Sequence, residues 1–341
     1  MRVLLTGSTG YLGTVMAPVL AAAGHEVIGL DSGLFADCVL GPPPQDPAGF
    51  TVDLREVGPE HLTGVDAVVH LAALSNDPLG SLAPELTYDI NYHASVRLAR
   101  LAKEAGVGRF LYASTCSVYG AAGDGLVTEE APLRPVTPYA ESKVRVEDDL
   151  RELADDSFSP VFLRNATAFG FSPRLRADIV LNNLVGHAVL TGRVLVLSDG
   201  TPWRPLVHAR DIAEAFSAAL DAPRAAVHAR PLNVGTEDNN VTVAQIAEEV
   251  VEAVPGARLV ITGEHGADPR SYRVDFTAIK AALPAFQTRW SVKAGAVELA
   301  EAYFANGLTE KDFERKFTRL ARLSERRTAG TVDERLRPVA R

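Results

Sequence analysis

The first apolar run of the chain ends almost as soon as it begins. Val3-Leu4-Leu5 gives way to Gly7-Ser8-Thr9-Gly10-Tyr11-Leu12-Gly13, and residues 11–23 then read as a helix that stops at Gly24. A buried strand feeding a helix through glycines commits the chain to parallel strand–helix–strand units. It also leaves bare backbone at the mouth of the turn. Glycine lets the chain fold back tightly and approach a ligand, while the helix N-terminus offers unpaired N–H groups and a partial positive charge. The pattern therefore predicts a seat for a pyrophosphate, with the spacing G-x-x-G-x-x-G in place of the commoner G-x-G-x-x-G.

The alternation continues through the first half. Residues 26–30, 65–71, 109–113 and 160–163 are short apolar runs, and residues 82–105 and 139–153 read as helices, the first closed by Gly106. Strands alternating with helices predict an α/β fold, a Rossmann-type doubly wound parallel sheet with a smaller C-terminal substrate lobe. The expected division is 1–164 for the dinucleotide domain with returning segments near 205–235, then 165–204 and 236–322 for the lobe. Residues 323–341 form a charged tail, either a surface helix or partly disordered. Residues 41–47 and 120–138, rich in Gly and Pro, are expected to be loops.

Composition narrows the classes of function. With 341 residues, 47% hydrophobic and 23% charged, the chain has ample material for a core. Its net charge is −9 with no Lys/Arg block, which argues against nucleic-acid or membrane-surface binding. Two cysteines, Cys38 and Cys116, favour a reducing compartment. No segment approaches the roughly 20 apolar residues of a membrane span. A cytoplasmic protein is expected, with no metal site.

Asp31 ends the second strand, 18 residues after Gly13. A carboxylate there can accept both ribose hydroxyls of NAD and would repel a 2′-phosphate, and no basic residue stands beside it in sequence. Asp53-Leu54 follows the third strand-like run and either meets the adenine or is a turn. Tyr139-Ala140-Glu141-Ser142-Lys143 puts a phenol and an ammonium on one helix face. The cation favours the phenolate, so Tyr139 can take a proton from a substrate hydroxyl as hydride leaves the same carbon. Ser114-Thr115-Cys116-Ser117-Val118-Tyr119-Gly120 ends a strand upstream, where parallel sheets bind ligands. A hydroxyl there can orient the substrate.

Taken together these motifs resemble the extended short-chain dehydrogenase/reductase family, the NAD-dependent nucleotide-sugar epimerases and dehydratases. The resemblance rests on the glycine loop, His70-Leu71-Ala72-Ala73, Ser114-Thr115 leading to Val118-Tyr119-Gly120, Tyr139-x-x-x-Lys143, and Arg204-Pro205-Leu206-Val207-His208. It implies a catalytic triad of Thr115, Tyr139 and Lys143, with Lys143 also on the nicotinamide ribose. It implies that Leu71, Ala72 and Ala73 pass beside the dinucleotide and that Asn91 supports that segment from the next helix. On the substrate side it implies Ser75, Thr115, Cys116, Ser117, Asn165, Asn183, Arg204 and Arg270, the arginines gripping a diphosphate through forked donors. Trp203 either covers a base or packs between lobes. A homodimer through the helices near 82–105 and 139–154 is also implied. Where sugar 4,6-dehydratases place an Asp-Glu pair after the Thr, this chain has Cys116-Ser117. That departure favours epimerisation by transient oxidation at C4. The alternatives are a dehydratase or decarboxylase sharing that first step, with Cys116 as an acid of shifted pKa, or a non-catalytic dinucleotide sensor.

Overall fold

In the computed structural model, residues 1–75, 83–121, 125–263 and 271–339 are described. Seven strands make the central sheet: β1 Arg2–Thr6, β2 Glu26–Asp31, β3 Gly49–Thr51, β4 Ala67–His70, β5 Arg109–Thr115, β6 Ser159–Asn165 and β7 Pro231–Val234. All neighbours are parallel, in the order β7-β6-β5-β4-β1-β2-β3. Every residue of β4 and β6 is buried, as expected of strands covered on both faces.

Two layers supply that cover. On one face Met16 and Leu20 of α1 (Tyr11–Ala22) pack with Ile212 and Phe216, and the cluster reaches Leu5, Val69 and Leu111 of the sheet. On the other face Leu98 and Ala102 of α2 (Ala94–Glu104) pack with Val146 and Leu150 of α3 (Pro138–Leu153) over Phe110 and Phe162. Val146 and Leu150 of α3 are thus taken up by packing against the sheet layer.

The helix expected over 82–105 is continuous in course but not in pitch. Pro84–Thr87 leads into a π-helical stretch, Tyr88–His93, before α2 begins; its expected first residue, Leu82, lies outside the described residues. π-turns inside α-helices often mark functional positions, and this one carries Asn91.

A second body of structure contains α4 (Val180–Thr191), α5 (Ala209–Asp221), which returns to the central sheet, α6 (Val243–Ala253) and α7 (Val292–Ala305). Thr167–Phe169, Trp203–His208 and Asn240–Thr242 form a separate three-stranded sheet. So of the segment expected to return near 205–235, β7 and α5 reach the central sheet but Trp203–His208 does not. Trp203 takes the Arg273 guanidinium over its ring at 5.0 Å.

Of the two readings of the tail, the helix holds for its first residues. A final helix, α8 (Arg319–Thr328), is followed by a bridge between Val332 and Pro338. Leu323, Val332 and Leu336 are buried together with Leu74, which follows β4. Arg335 pairs with Asp89 at 3.1 Å, Arg337 with Glu56 at 3.7 Å, and Arg322 and Arg326 both reach Asp37. The many charges of this segment meet acids of the sheet domain, and its few apolar residues are spaced to bury.

Candidate active site

The sheet order reverses between β1 and β4, and a cavity of about 780 Å³ opens at the carboxyl ends of the strands there. This is where open parallel sheets bind ligands.

The glycine loop forms its floor. Gly7 has φ +72°, and a Cβ there would lie 2.9 Å from the Ala72 backbone nitrogen. At Gly13 a Cβ would come within 2.1 Å of the Gly7 carbonyl oxygen, so α1 can close on the loop only without a side chain. Gly7, Thr9, Gly10, Tyr11, Leu12 and Gly13 all line the cavity. The Thr9 N–H donates to Asp31 Oδ2 at 3.1 Å and the Gly33 N–H to Oδ1 at 2.8 Å. A carboxylate offers about four lone-pair sites, so both oxygens keep capacity for ribose hydroxyls. Thr9 Oγ1 is buried with no partner among the described residues. Bare helix N-terminus, anchored acid and orphaned hydroxyl together fit a dinucleotide.

Across the floor, Thr6 Oγ1 bonds His70 Nδ1 at 2.6 Å, and His70 Nε2 bonds Ser95 Oγ at 2.8 Å. Burial, with the Lys143 charge adding, pushes the His70 pKa down to about 3, so the ring stays neutral. Thr6 also accepts from the Ala72 N–H at 3.2 Å, which fixes the path of Leu71, Ala72 and Ala73 along the cavity wall. Asn91 does not line the cavity; its side chain accepts from the Leu74 N–H at 2.7 Å and donates to the Leu74 carbonyl at 3.1 Å.

Thr137 caps α3, its hydroxyl accepting from the Ala140 N–H at 3.2 Å, and Pro138 occupies the first turn. Tyr139 thus enters the cavity from the first turn and Lys143 from the next. Lys143 is 3% exposed; its Nζ donates to the Ala113 carbonyl at 2.7 Å and lies 5.6 Å from the Tyr139 ring centroid. Burial pulls its pKa down from 10.5 to about 7, against the raising effect of Glu147. Thr115 ends β5 and lines the cavity, its Oγ1 accepting from the Ser117 N–H at 3.1 Å. One turn beyond Lys143, Glu147 forms a buried pair with Arg164 of β6, Nη2 to Oε2 2.6 Å, and accepts from Ser114 Oγ at 2.5 Å. This pair locks α3 to the two strands whose ends frame the site.

Cys116 requires a correction. Cys116 opens the 3-10 turn, Cys116–Tyr119, that follows β5; Ser114, Thr115 and Ser117 line the cavity, and Cys116 turns into the core at 1% exposure. Its thiol donates to the Arg164 carbonyl at 3.1 Å, and burial pushes its pKa well above the usual thiol range. It does not line the cavity. Among the other substrate-side candidates, Ser75, Asn165, Asn183 and Arg204 line the cavity. Asn183 Nδ2 donates to the Ala177 carbonyl at 3.0 Å and Asn165 Nδ2 to the Ser114 carbonyl at 3.2 Å, while Asn165 Oδ1 has no partner among the described residues. Arg204 donates to the Trp203 carbonyl at 2.8 Å. Arg270 lies outside the described residues.

The sequence model of the NAD dependent epimerase/dehydratase family matches residues 3–235. The chain belongs to that family. It is 29% identical over 262 residues to a UDP-glucose 4-epimerase of Bacillus subtilis, covering 69% of this chain and 77% of that one. The solved structure of MoeE5 in complex with UDP-glucuronic acid and NAD shares 28% identity at a TM-score of 0.75, covering 89% of this chain and 99% of that one. DesIV, a dTDP-glucose 4,6-dehydratase of Streptomyces venezuelae with NAD and TYD bound, shares 25% identity at 0.76, covering 92% and 100%.

As a member of this family the enzyme depends on NAD, and two details of the cofactor end differ from expectation. A basic residue does stand near Asp31: Arg55 lines the same cavity. It is already committed, clamping Asp53 at 2.9 and 2.7 Å, reaching Asp89 at 3.1 Å and donating to the Arg335 carbonyl at 2.9 Å. Asp53 is accordingly an ion-pair partner and turn cap at the rim, beside Leu54. Elsewhere in the cavity, Arg176 and Asp178 face each other in a forked pair, 3.1 and 3.2 Å, and Arg176 donates to Ser75 Oγ at 3.0 Å. Neither was anticipated; the only local signal was two charged residues in an apolar stretch just before α4.

Proposed function

We propose that the enzyme is an NAD-dependent epimerase acting on a nucleotide-activated sugar, by transient oxidation at C4. Bound in this cavity, NAD supplies the acceptor and later the donor of the hydride. Tyr139 takes the proton of the substrate hydroxyl and returns it at the end, so its phenol is regenerated in each cycle. The Lys143 ammonium stabilises the phenolate, and the Thr115 hydroxyl holds the reacting oxygen. Arg204 and Asn183 would hold the diphosphate and leave the sugar free to turn.

The observation that carries epimerisation over dehydration is the state of the carboxyl groups. Among the described residues, the acids lining the cavity are Asp31, Asp53 and Asp178. Asp31 is at the cofactor end and Asp53 is clamped by Arg55. Asp178 is held below the usual carboxylate range by Arg176 against the raising effect of burial, so it is a poor proton donor to a leaving hydroxyl. With Cys116 in the core, no acid for water loss stands beside Thr115 among the described residues. The retained Tyr139, Lys143 and Thr115 disfavour a non-catalytic sensor.

The test is product mass after incubation with a panel of nucleotide sugars and no added cofactor. An isomer of unchanged mass is expected. Loss of water would establish a dehydratase instead, and loss of carbon dioxide a decarboxylase. Among the described residues no helix is long and apolar enough to cross a membrane; a cytoplasmic homodimer, supported by family resemblance, is checked by cell fractionation and sedimentation.

A further inference from the structure

Arg319, the first residue of α8, is 5% exposed and lines the cavity. Both its terminal nitrogens are buried with no hydrogen-bond partner among the described residues. The guanidinium stacks over the Phe35 ring at 4.5 Å, in the loop that follows Asp31. A buried guanidinium without a counter-charge costs several kcal/mol, so such groups normally have one. Among the described residues the one acid that acts on it is Asp178, which Arg176 also forks, and burial pushes the nearby Cys38 thiol up. Burial correspondingly draws the Arg319 pKa down to about 10. Among the described residues, this corner of the cavity therefore sets two arginines against one acid, a positive balance that an anionic ligand would offset.

The position says which anion. Phe35 and Leu34 belong to the loop that leaves Asp31, whose carboxylate holds the Thr9 N–H of the glycine loop. Leu336, from the same C-terminal segment, also lines the cavity; it is buried in the cluster against which Leu34 and Phe35 pack, next to Arg335, whose carbonyl accepts from Arg55. The segment thus runs along the dinucleotide side, and it lies beyond residue 235, where the family match stops.

We propose that the C-terminal segment, residues 319–339, is a wall of the dinucleotide site, with Arg319 as counter-charge to the cofactor's diphosphate and Leu336 packed over its adenosine end. The segment closes over bound NAD and retains it. The inference rests on NAD dependence alone, not on the choice of epimerisation, so the product assay can fail without touching it.

The test reads binding rather than turnover. Parent, Arg319→Leu and Arg319→Lys proteins are stripped of cofactor, and NAD, ADP-ribose and UDP are titrated by calorimetry. Arg319→Leu is expected to weaken NAD and ADP-ribose alike by about 10- to 100-fold, the worth of a charge-assisted contact, and to leave UDP binding as in the parent. Arg319→Lys, which keeps the charge and loses the fork, should fall between; it carries the test if the leucine variant does not fold. Unchanged NAD affinity in either folded variant overturns the proposal. So does a loss confined to UDP, which would assign the charge to the sugar nucleotide. Trypsin provides the second arm: NAD should slow cleavage after Arg326 and Arg327 in the parent protein, and equal rates with and without NAD would overturn the covering role.

Discussion

Two arginines are buried to nearly the same degree, Arg164 at 2% and Arg319 at 5%, and they live in opposite circumstances. Every nitrogen of Arg164 is used: Nε and Nη2 fork onto Glu147, and Nη1 donates to the Tyr119 hydroxyl at 3.1 Å and the Glu129 carbonyl at 3.2 Å. Tyr119 passes the chain on to Asn233 of β7 at 2.7 Å. The network is closed, with nothing left to offer a ligand. Arg319 has an aromatic face under it and nothing at its tips. The lesson is that burial alone does not separate a group that holds the fold from one that holds a ligand; completeness of its partners does.

The comparison breaks first if the closed network proves dispensable. Replacing Glu147 with Ala leaves the Arg164 charge buried and unpaired, at an expected cost of about 3–5 kcal/mol of stability. Urea unfolding measures it. A loss under about 1 kcal/mol would mean that water reaches the pair and that its buried geometry is not what secures α3. Because Lys143 stands one turn away on the same helix, turnover should fall together with stability in this variant.

Tyr139→Phe separates the two roles from the other side. The hydroxyl contributes to chemistry and little to the fold, so turnover should drop by about 10²- to 10⁴-fold while unfolding is nearly unchanged. Cofactor content, read from absorbance after acid release, should stay at the parent level. A variant that lost its turnover yet kept the protein's full biological effect would return the non-catalytic sensor to consideration; one that kept its turnover would remove Tyr139 from the chemistry.

These expectations also mark what the amino-acid sequence made legible. The glycine loop was readable because its residues answer a local backbone demand: a Cβ at Gly13 would sit 2.1 Å from a carbonyl oxygen. Tyr139 and Lys143 were readable because one helical turn fixes their spacing, and Asp31 because a strand end fixes its offset. Arg319 and Leu336 were not. Arg319 falls at the end of the stretch read as the substrate lobe and Leu336 in the charged tail, and a single arginine leaves no periodic trace of what it will face. Arg176 and Asp178 escaped for the same reason, as a charged pair in an irregular stretch. Cys116, offered both as a substrate contact and as a small buried residue at a strand end, is buried; the chain leaves β5 at Thr115 for a 3-10 turn, where strand alternation no longer sets which way a side chain faces.

The subtlest prediction concerns Lys143, which belongs to both sides of the comparison: it is buried like Arg164, yet it serves the reaction. Its folded pKa, about 7, lies below its ordinary 10.5 because burial penalises the ammonium. Between those values the unfolded chain binds more protons than the native one, so its contribution to stability rises with pH across that window. Below pH 7 both states are protonated and the full penalty is felt. Lys143→Met removes the penalty and also deprives the Ala113 carbonyl of its donor, a cost that does not vary with pH. The melting temperature of the methionine variant relative to the parent should therefore fall by about 3–6 °C between pH 6 and pH 9, for a chain of this size. Subtracting the two proteins cancels every titrating group they share. A difference that is flat across this range would mean that Lys143 keeps its ordinary pKa in the folded enzyme. Tyr139 would then face a permanent ammonium rather than one that titrates near neutrality.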